Sequence, residues 1–140
     1  MTTSLSLQMT SSDSHERLTD AVEGFVSTHD LPPRAAYLID LVLEEIVTNI
    51  VNHGAKNRAA NIDVRLSRVG ERVIGSVRDD TAPFDPLSRG PADIEADIDE
   101  RAIGGLGIHL VREMTESVAY VREDGHNVLT FSIDLKKETP

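Results

Sequence analysis

The stretch "LVLEEIVTNIVNHG", residues 41–54, reads as a long apolar helix that carries a polar face. At about 3.6 residues per turn, four polar residues share one narrow face of this helix, namely Glu45, Asn49, Asn52 and His53. The surrounding residues are more apolar than a single amphipathic stripe requires. Carboxylates and amides in such surroundings need partners. The pattern therefore indicates either a solvated stripe or a binding site.

The flanking sequence predicts strands and helices on both sides of this helix. Alternating or helical patterns cover residues 4–9 (strand), 14–29 (helix), 33–53 (helix), 61–69 and 71–79 (hairpin), the segment after 104–107 (helix), and 117–124 and 127–136 (hairpin). Most strand pairs in this order are antiparallel. We therefore predict an α/β (α+β) two-layer sandwich in which helices pack on one face of a mixed, mostly antiparallel sheet.

The composition restricts the functions that this chain can have. Its 140 residues fit one domain spanning 1–140. A net charge of −10 argues against direct nucleic-acid binding, which needs clustered Lys and Arg. The sequence has no cysteine, which excludes thiol catalysis and thiolate metal sites. It shows neither a signal peptide nor a membrane span, so we predict a cytoplasmic protein without membrane contact.

Two further segments carry candidate site residues. In "VIGSVRDDTAPFDP", residues 73–86, Asp79 ends a strand and can accept a hydrogen bond from an amino group, such as that of adenine, or can simply begin a turn with Asp80. In "GGLG", residues 104–107, glycines open a helix, where backbone N–H groups attract anions, although glycines there also serve tight packing. The long segment between them, residues 80–103, is typical of a lid or a binding loop.

In order, these three motifs resemble the ATP-binding Bergerat fold of the histidine-kinase-like ATPases. They are Glu45-x-x-x-Asn49, the box from Asp79 to Phe84, and "GGLG" at 104–107. The "NHG" ending of the first motif, "APFDP" and "GGLGIHLV" are most similar to the branch of bacterial anti-sigma-factor serine/threonine protein kinases. The resemblance covers essentially the whole chain.

The resemblance implies roles for individual residues. Glu45 would be the general base, Asn49 would bind the Mg²⁺ that bridges the phosphates of ATP, and Asp79 would accept a hydrogen bond from the adenine amine. The other residues that it assigns to the nucleotide are His53, Thr81, Phe84, Arg101, Gly104, Gly105, Leu106, Gly107 and Thr130. The three glycines would wrap the phosphates beneath a lid at 86–103, and Thr130 in "VLTF" would lie near adenine. From the residues alone, the favoured interpretation of His53 is a residue near the helix C-terminus that complements the helix dipole.

One position departs from the family pattern. Where the family usually has glycine in the second motif, this chain has Thr81 followed by Ala82. Glycine permits a positive φ and a close approach to the base, whereas a β-branched residue tolerates neither well. We therefore expect Thr81 to weaken or shift the binding of nucleotide.

The resemblance implies an ATP-dependent protein serine/threonine kinase that regulates transcription through partner switching. It would phosphorylate an anti-sigma-factor antagonist, with sequestration of a sigma factor as an additional role, and would form a homodimer. A second hypothesis is a nucleotide-responsive regulator that binds its partner without catalysis. A third is a detached histidine-kinase catalytic domain with His15 as acceptor, which the short lid and the lack of a phospho-accepting hairpin disfavour.

Overall fold

The fold consists of one five-stranded sheet and the helices that cover it. The computed structural model describes residues 4–13, 15–54, 59–88 and 106–136. The strands are β1 (Leu5–Thr10), β2 (Asn61–Val69), β3 (Arg72–Asp79), β4 (Ser117–Glu123) and β5 (His126–Asp134). The helices are α1 (His15–Thr28), α2 (Pro33–Asn49) and α3 (Leu106–Met114), with a short 3-10 turn at Pro86–Ser88.

The sheet has the strand order β1-β2-β3-β5-β4, and each pairing between these strands is antiparallel. The predicted two-layer sandwich is confirmed. The structure differs from the predicted mixed sheet in that the described strands form no parallel pair. β3 and β4 run in the same direction, but β5 lies between them and pairs antiparallel with both, so they form no parallel pair.

Both predicted hairpins form around the expected turn residues. In the β2–β3 hairpin Gly70 has a φ of +62°. In the β4–β5 hairpin Asp124 and Gly125 have φ values of +51° and +75°. The β4–β5 turn, with positive φ at both central residues, has the geometry of a tight two-residue turn that matches the twist of the strands.

The core lies between the helices and one face of the sheet. Its largest buried side chains come from α1, α2 and the inward positions of β2, β3 and β5, and include Val22, Ile39, Val42, Leu43, Ile62, Leu66, Val77, Phe131 and Ile133. The ring of Phe131 packs directly on Gly75 of β3, where an added Cβ atom would overlap it. This contact holds β5 against β3 at the centre of the sheet.

Helix α2 begins at Pro33 as predicted, because proline suits a first helical turn. The α-helical hydrogen bonding ends at Asn49, however, and the chain continues as a π-helical turn over Ile50–Gly54 instead of as α-helix to residue 53. Such turns are frequent at functional sites. Within the described residues, no helix combines the length and the apolar character that crossing a membrane requires.

Candidate active site

Residues from α2, β3, β4 and β5 surround a cavity beneath the end of α2. The cavity has a volume of about 30 Å³, which is room for roughly two water molecules. Four predicted site residues line it, namely Asn49, Asp79, Thr81 and Phe84. The remaining lining residues are Ile46, Ile50, Val77, Pro86, Tyr120, Asn127 and Leu129.

Asp79 is the last residue of β3, and its carboxylate is buried at the cavity wall. Its Oδ1 atom accepts three hydrogen bonds, from the Thr81 backbone N–H at 3.0 Å, from the Thr81 hydroxyl at 2.5 Å and from Asn127 Nδ2 at 3.0 Å. Among the described residues, no hydrogen bond reaches its Oδ2 atom. One oxygen of this carboxylate is therefore held by the protein, and the other remains available as an acceptor.

Thr81 is accommodated without the backbone strain that the sequence led us to expect. Among the described residues, the only non-glycine residues with positive φ are Asp30 and Asp124, so Thr81 adopts an ordinary backbone conformation. Its side chain is only 6% exposed, and its hydroxyl donates to Asp79. The strain argument was therefore wrong, because the turn does not use the conformation that glycine would permit.

Asn127 is the site residue that our reading of the sequence missed. It is buried near the start of β5 and contacts Asp79, Thr81 and Ala82 through its Nδ2 atom. A signal for it existed in the sequence. Leu129, Phe131 and Ile133 form an apolar stripe with period two, and Asn127 occupies the next inward position of the same stripe as its polar member.

Thr130 does not reach the cavity, contrary to the role that the resemblance implied. It is exposed and lies on the opposite face of the sheet from Asn127 and Leu129. Successive side chains of a strand point to opposite faces, so a residue one position away from Leu129 must face outward. The correction to the predicted site is that Leu129 occupies the position on β5 that we expected Thr130 to fill.

Glu45 lies on α2, one turn before Asn49, and its carboxylate is packed against the start of α3. A Cβ atom added to Gly107 would overlap the carboxylate carbon and both of its oxygens. The Oε2 atom is buried and has no hydrogen-bond partner among the described residues. Burial, and to a lesser extent the negative charge of Glu44, raises the pKa of Glu45 above its ordinary value. The half-buried carboxylate therefore keeps its proton to a higher pH than a solvated glutamate does.

Asn49 is the last residue of α2 and is 5% exposed. Its Nδ2 atom is buried without a hydrogen-bond partner in the described part of the chain. An unpaired buried amide costs free energy unless something else satisfies it. Because the two ends of an amide side chain are assigned from their partners, this end of Asn49 can present either its oxygen or its nitrogen to a ligand.

Several predicted residues cannot be compared with the structure. Arg101, Gly104 and Gly105, and most of the expected lid at 86–103, lie outside the described residues. Of His53 and Leu106 only the backbone is described, in the π-helical turn and at the first position of α3 respectively. Asn52, which was expected on the polar face of the helix, is exposed.

Comparison with known families gives one match across most of the chain. The sequence model of the histidine kinase-like ATPase domain matches residues 10–133. Among solved structures, histidine kinase AdeS of Acinetobacter baumannii superimposes with a TM-score of 0.50, covering 73% of this chain and 48% of that one. At 13% identity this likeness concerns the fold alone.

Two similar proteins carry the names of kinases. Serine/threonine-protein kinase BtrW of Bordetella bronchiseptica is 28% identical over 100 residues, which cover 71% of this chain and 70% of BtrW. Serine-protein kinase RsbW of a Bacillus cereus strain is 28% identical over 93 residues, which cover 64% of this chain. That second alignment spans only 58% of the length of RsbW.

Proposed function

The chain belongs to the histidine kinase-like ATPase domain family, as its three motifs predicted, and on that premise we propose that it is an ATP-dependent protein serine/threonine kinase. The names of the two relatives, a serine/threonine-protein kinase and a serine-protein kinase, support this choice within the family. The proposed reaction transfers the terminal phosphoryl group of ATP to a serine or threonine hydroxyl of a partner protein.

The observation that carries the proposal is the common location of Asp79 and Asn49. Both side chains line one cavity, and Glu45 lies one helical turn from Asn49 on the same helix. Asp79 offers a free carboxylate oxygen to an exocyclic amine, while the Nδ2 atom of Asn49 is buried without a described partner. A ligand with a base at one end and phosphates at the other would satisfy both groups.

Asn49 is also the proposed magnesium ligand, a role that its side-chain oxygen would fill. Magnesium prefers hard oxygen ligands and usually keeps several waters, so one protein oxygen together with phosphate oxygens is a reasonable coordination shell. Among the described residues, no cluster of three or more His, Asp or Glu side chains offers a site made by the protein alone. When bound, the ion would neutralise charge that develops on the phosphates.

Glu45 is the proposed general base. Its buried Oε2 atom has no described partner, and its raised pKa brings it closer to the value that proton abstraction near neutral pH requires. In this role the carboxylate accepts the proton of the attacking hydroxyl as the oxygen approaches phosphorus. Gly107 leaves the space in which that carboxylate lies.

The partners form the part of the proposal that rests on the motif resemblance. We infer an anti-sigma-factor antagonist as the substrate, a sigma factor as a second partner, a homodimer as the assembly and the cytoplasm as the location. Phe84, Thr81 and Gly107 would contact the nucleotide together with Asp79. The roles of His53, Leu106, Arg101, Gly104 and Gly105 remain those that the resemblance implies.

Phosphotransfer to a cognate antagonist tests the proposed function. The purified chain, the antagonist and labelled ATP with Mg²⁺ are mixed, after a pull-down has established that the two proteins bind each other. We expect labelled antagonist with the wild type and none with Glu45→Gln. Glu23→Gln is the control, since it removes a carboxylate that is exposed on α1 and does not contribute to the raised pKa of Glu45. A binding pair that transfers no phosphate would refute the kinase function.

The lining of the cavity favours a second candidate function, a nucleotide-responsive regulator without catalysis. Its residues come from α2, β3, β4 and β5, so a nucleotide bound there would contact several elements at once and would act on how they pack. Calorimetric titration with Mg-ATP and Mg-ADP, with Asp79→Asn as the control variant, establishes binding. Equal regulation of the partner by the wild type and by Glu45→Gln, without transfer, would favour this candidate over the kinase.

A further inference from the structure

Asn127 connects three segments that meet at the cavity. Its Nδ2 atom lies 3.0 Å from Asp79 Oδ1, 3.2 Å from the Thr81 hydroxyl oxygen and 3.0 Å from the backbone oxygen of Ala82. It thereby ties the end of β3 to the turn that follows it. Because the side chain is buried, these contacts are shielded from water and are strengthened accordingly.

The other end of the same amide is equally engaged. Asn127 Oδ1 accepts from the Tyr120 hydroxyl at 2.6 Å, from the Phe84 backbone N–H at 3.2 Å and from Arg122 Nη1 at 3.2 Å. Arg122 also donates to the backbone oxygen of Thr81 at 2.7 Å. A side-chain amide has two donor hydrogens and two acceptor lone pairs, so this one is saturated. Its orientation is fixed from both ends.

The saturated amide determines which oxygen of Asp79 can meet a ligand. Oδ1 is held by Asn127 and by both polar groups of Thr81, whereas Oδ2 has no described hydrogen bond. We propose that Asn127 is the positioning residue that, together with the Thr81 hydroxyl, fixes the Asp79 carboxylate for recognition of the 6-amino group of adenine. The inference rests on the proposed nucleotide binding and adds the residues that make it selective for the base.

Thr81 thus takes part in recognition and is not an obstacle to it. Removing its hydroxyl would free Asp79 Oδ1 from its shortest contact, while a serine at this position would keep that contact. Thr115 provides a matched comparison. It is also a buried threonine, 7% exposed, and its hydroxyl donates to the backbone oxygen of Val111 at 2.7 Å, away from the cavity.

Discrimination between two nucleotides tests the inference. Mg-ATP and the Mg complex of purine riboside triphosphate, which lacks the 6-amino group, are titrated calorimetrically into the wild type and into Asn127→Leu, Thr81→Val, Thr81→Ser and Thr115→Val. We expect the wild type to prefer ATP by roughly 10- to 100-fold, as a hydrogen bond to a charged group allows. We expect that preference to fall about tenfold in Asn127→Leu and Thr81→Val. Thr81→Ser and Thr115→Val should retain it.

The ratio of the two affinities separates positioning from a merely structural role, because a general loss of stability weakens both nucleotides alike. If Asn127→Leu and Thr81→Val discriminate as the wild type does, the inference is wrong. If Asn127→Leu shows no cooperative melting, Thr81→Val decides alone. A wild type that binds both nucleotides equally would refute recognition through Asp79 while leaving ATP binding intact. A wild type that binds neither would refute the proposed function itself.

Discussion

Replacing Gly107 with alanine should displace the Glu45 carboxylate. In the folded chain, the position that the new Cβ atom would occupy overlaps the carboxylate carbon and both oxygens of Glu45. The overlapping atoms belong to the far end of a flexible side chain, so the expected response is a change of the Glu45 rotamer and not unfolding. We expect phosphotransfer to fall by about 10- to 100-fold, since small displacements of a catalytic group have effects of that size.

The expected change in stability is the sum of two opposing effects. Alanine is more favourable than glycine within a helix by about 1 kcal/mol, and α3 contains Gly107 as its second residue. Forcing Glu45 away from its preferred rotamer costs about 0.5–1.5 kcal/mol. Gly107→Ala alone should therefore change the free energy of unfolding little. In a Glu45→Ala background the clash is absent, and the same substitution should stabilise the protein by about 1 kcal/mol.

A double-mutant cycle with urea unfolding measures this coupling. The variants are Gly107→Ala, Glu45→Ala and the combination of the two, and we expect a coupling free energy of about 1 kcal/mol, corresponding to roughly 3–5 °C in melting temperature. Additivity within about 0.3 kcal/mol would mean that the two residues do not interact. In that case our explanation of why this position is glycine would be wrong.

Three other substitutions test separate features. Burial, and secondarily the charge of Glu44, raises the pKa of Glu45, so the folded state favours the neutral form of this side chain. The folded state therefore loses stability as the pH rises from below 4.5 through the raised pKa. Glu45→Gln should increase the melting temperature more at neutral pH than at a pH below 4.5. Gly75→Ala should destabilise the fold by about 1–3 kcal/mol in urea unfolding, because its Cβ atom would overlap the Phe131 ring. Thr130→Val should leave the affinity for Mg-ATP unchanged, since that side chain is exposed on the outer face of the sheet; a loss of affinity in calorimetry would restore the role that the resemblance gave it.

The elements with strong local patterns could be predicted from the sequence. Helix α2 and the two hairpins formed nearly within their expected limits, because periodicity and turn residues act over a few positions. The π-helical turn after Asn49 could not be predicted in this way. A change from i→i+4 to i→i+5 hydrogen bonding alters no pattern of apolar residues, and it depends on how the end of the helix packs.

Site residues that belong to one motif on a single helix or strand could be predicted from the sequence. Contacts between residues of different elements were harder to predict. Asn49 and Asp79 line the same cavity although 30 positions separate them in the sequence, and only the resemblance between motifs predicted that they would meet. Thr130 was misassigned because a motif match ignored which face of β5 each residue occupies. The accommodation of Thr81 depends on Asn127, a partner 46 positions away, which no local pattern around Thr81 reveals.

The position of β5 within the sheet affects the order in which the protein can fold during synthesis. β5 comes last among the described strands in the chain, yet it lies between β3 and β4. A ribosome-bound chain that ends before residue 126 therefore leaves the edge of β3 unpaired, and exposed strand edges promote association with other chains. It also lacks Asn127 beside Asp79. The proposed ability to bind nucleotide would accordingly arise only after β5 has entered the sheet.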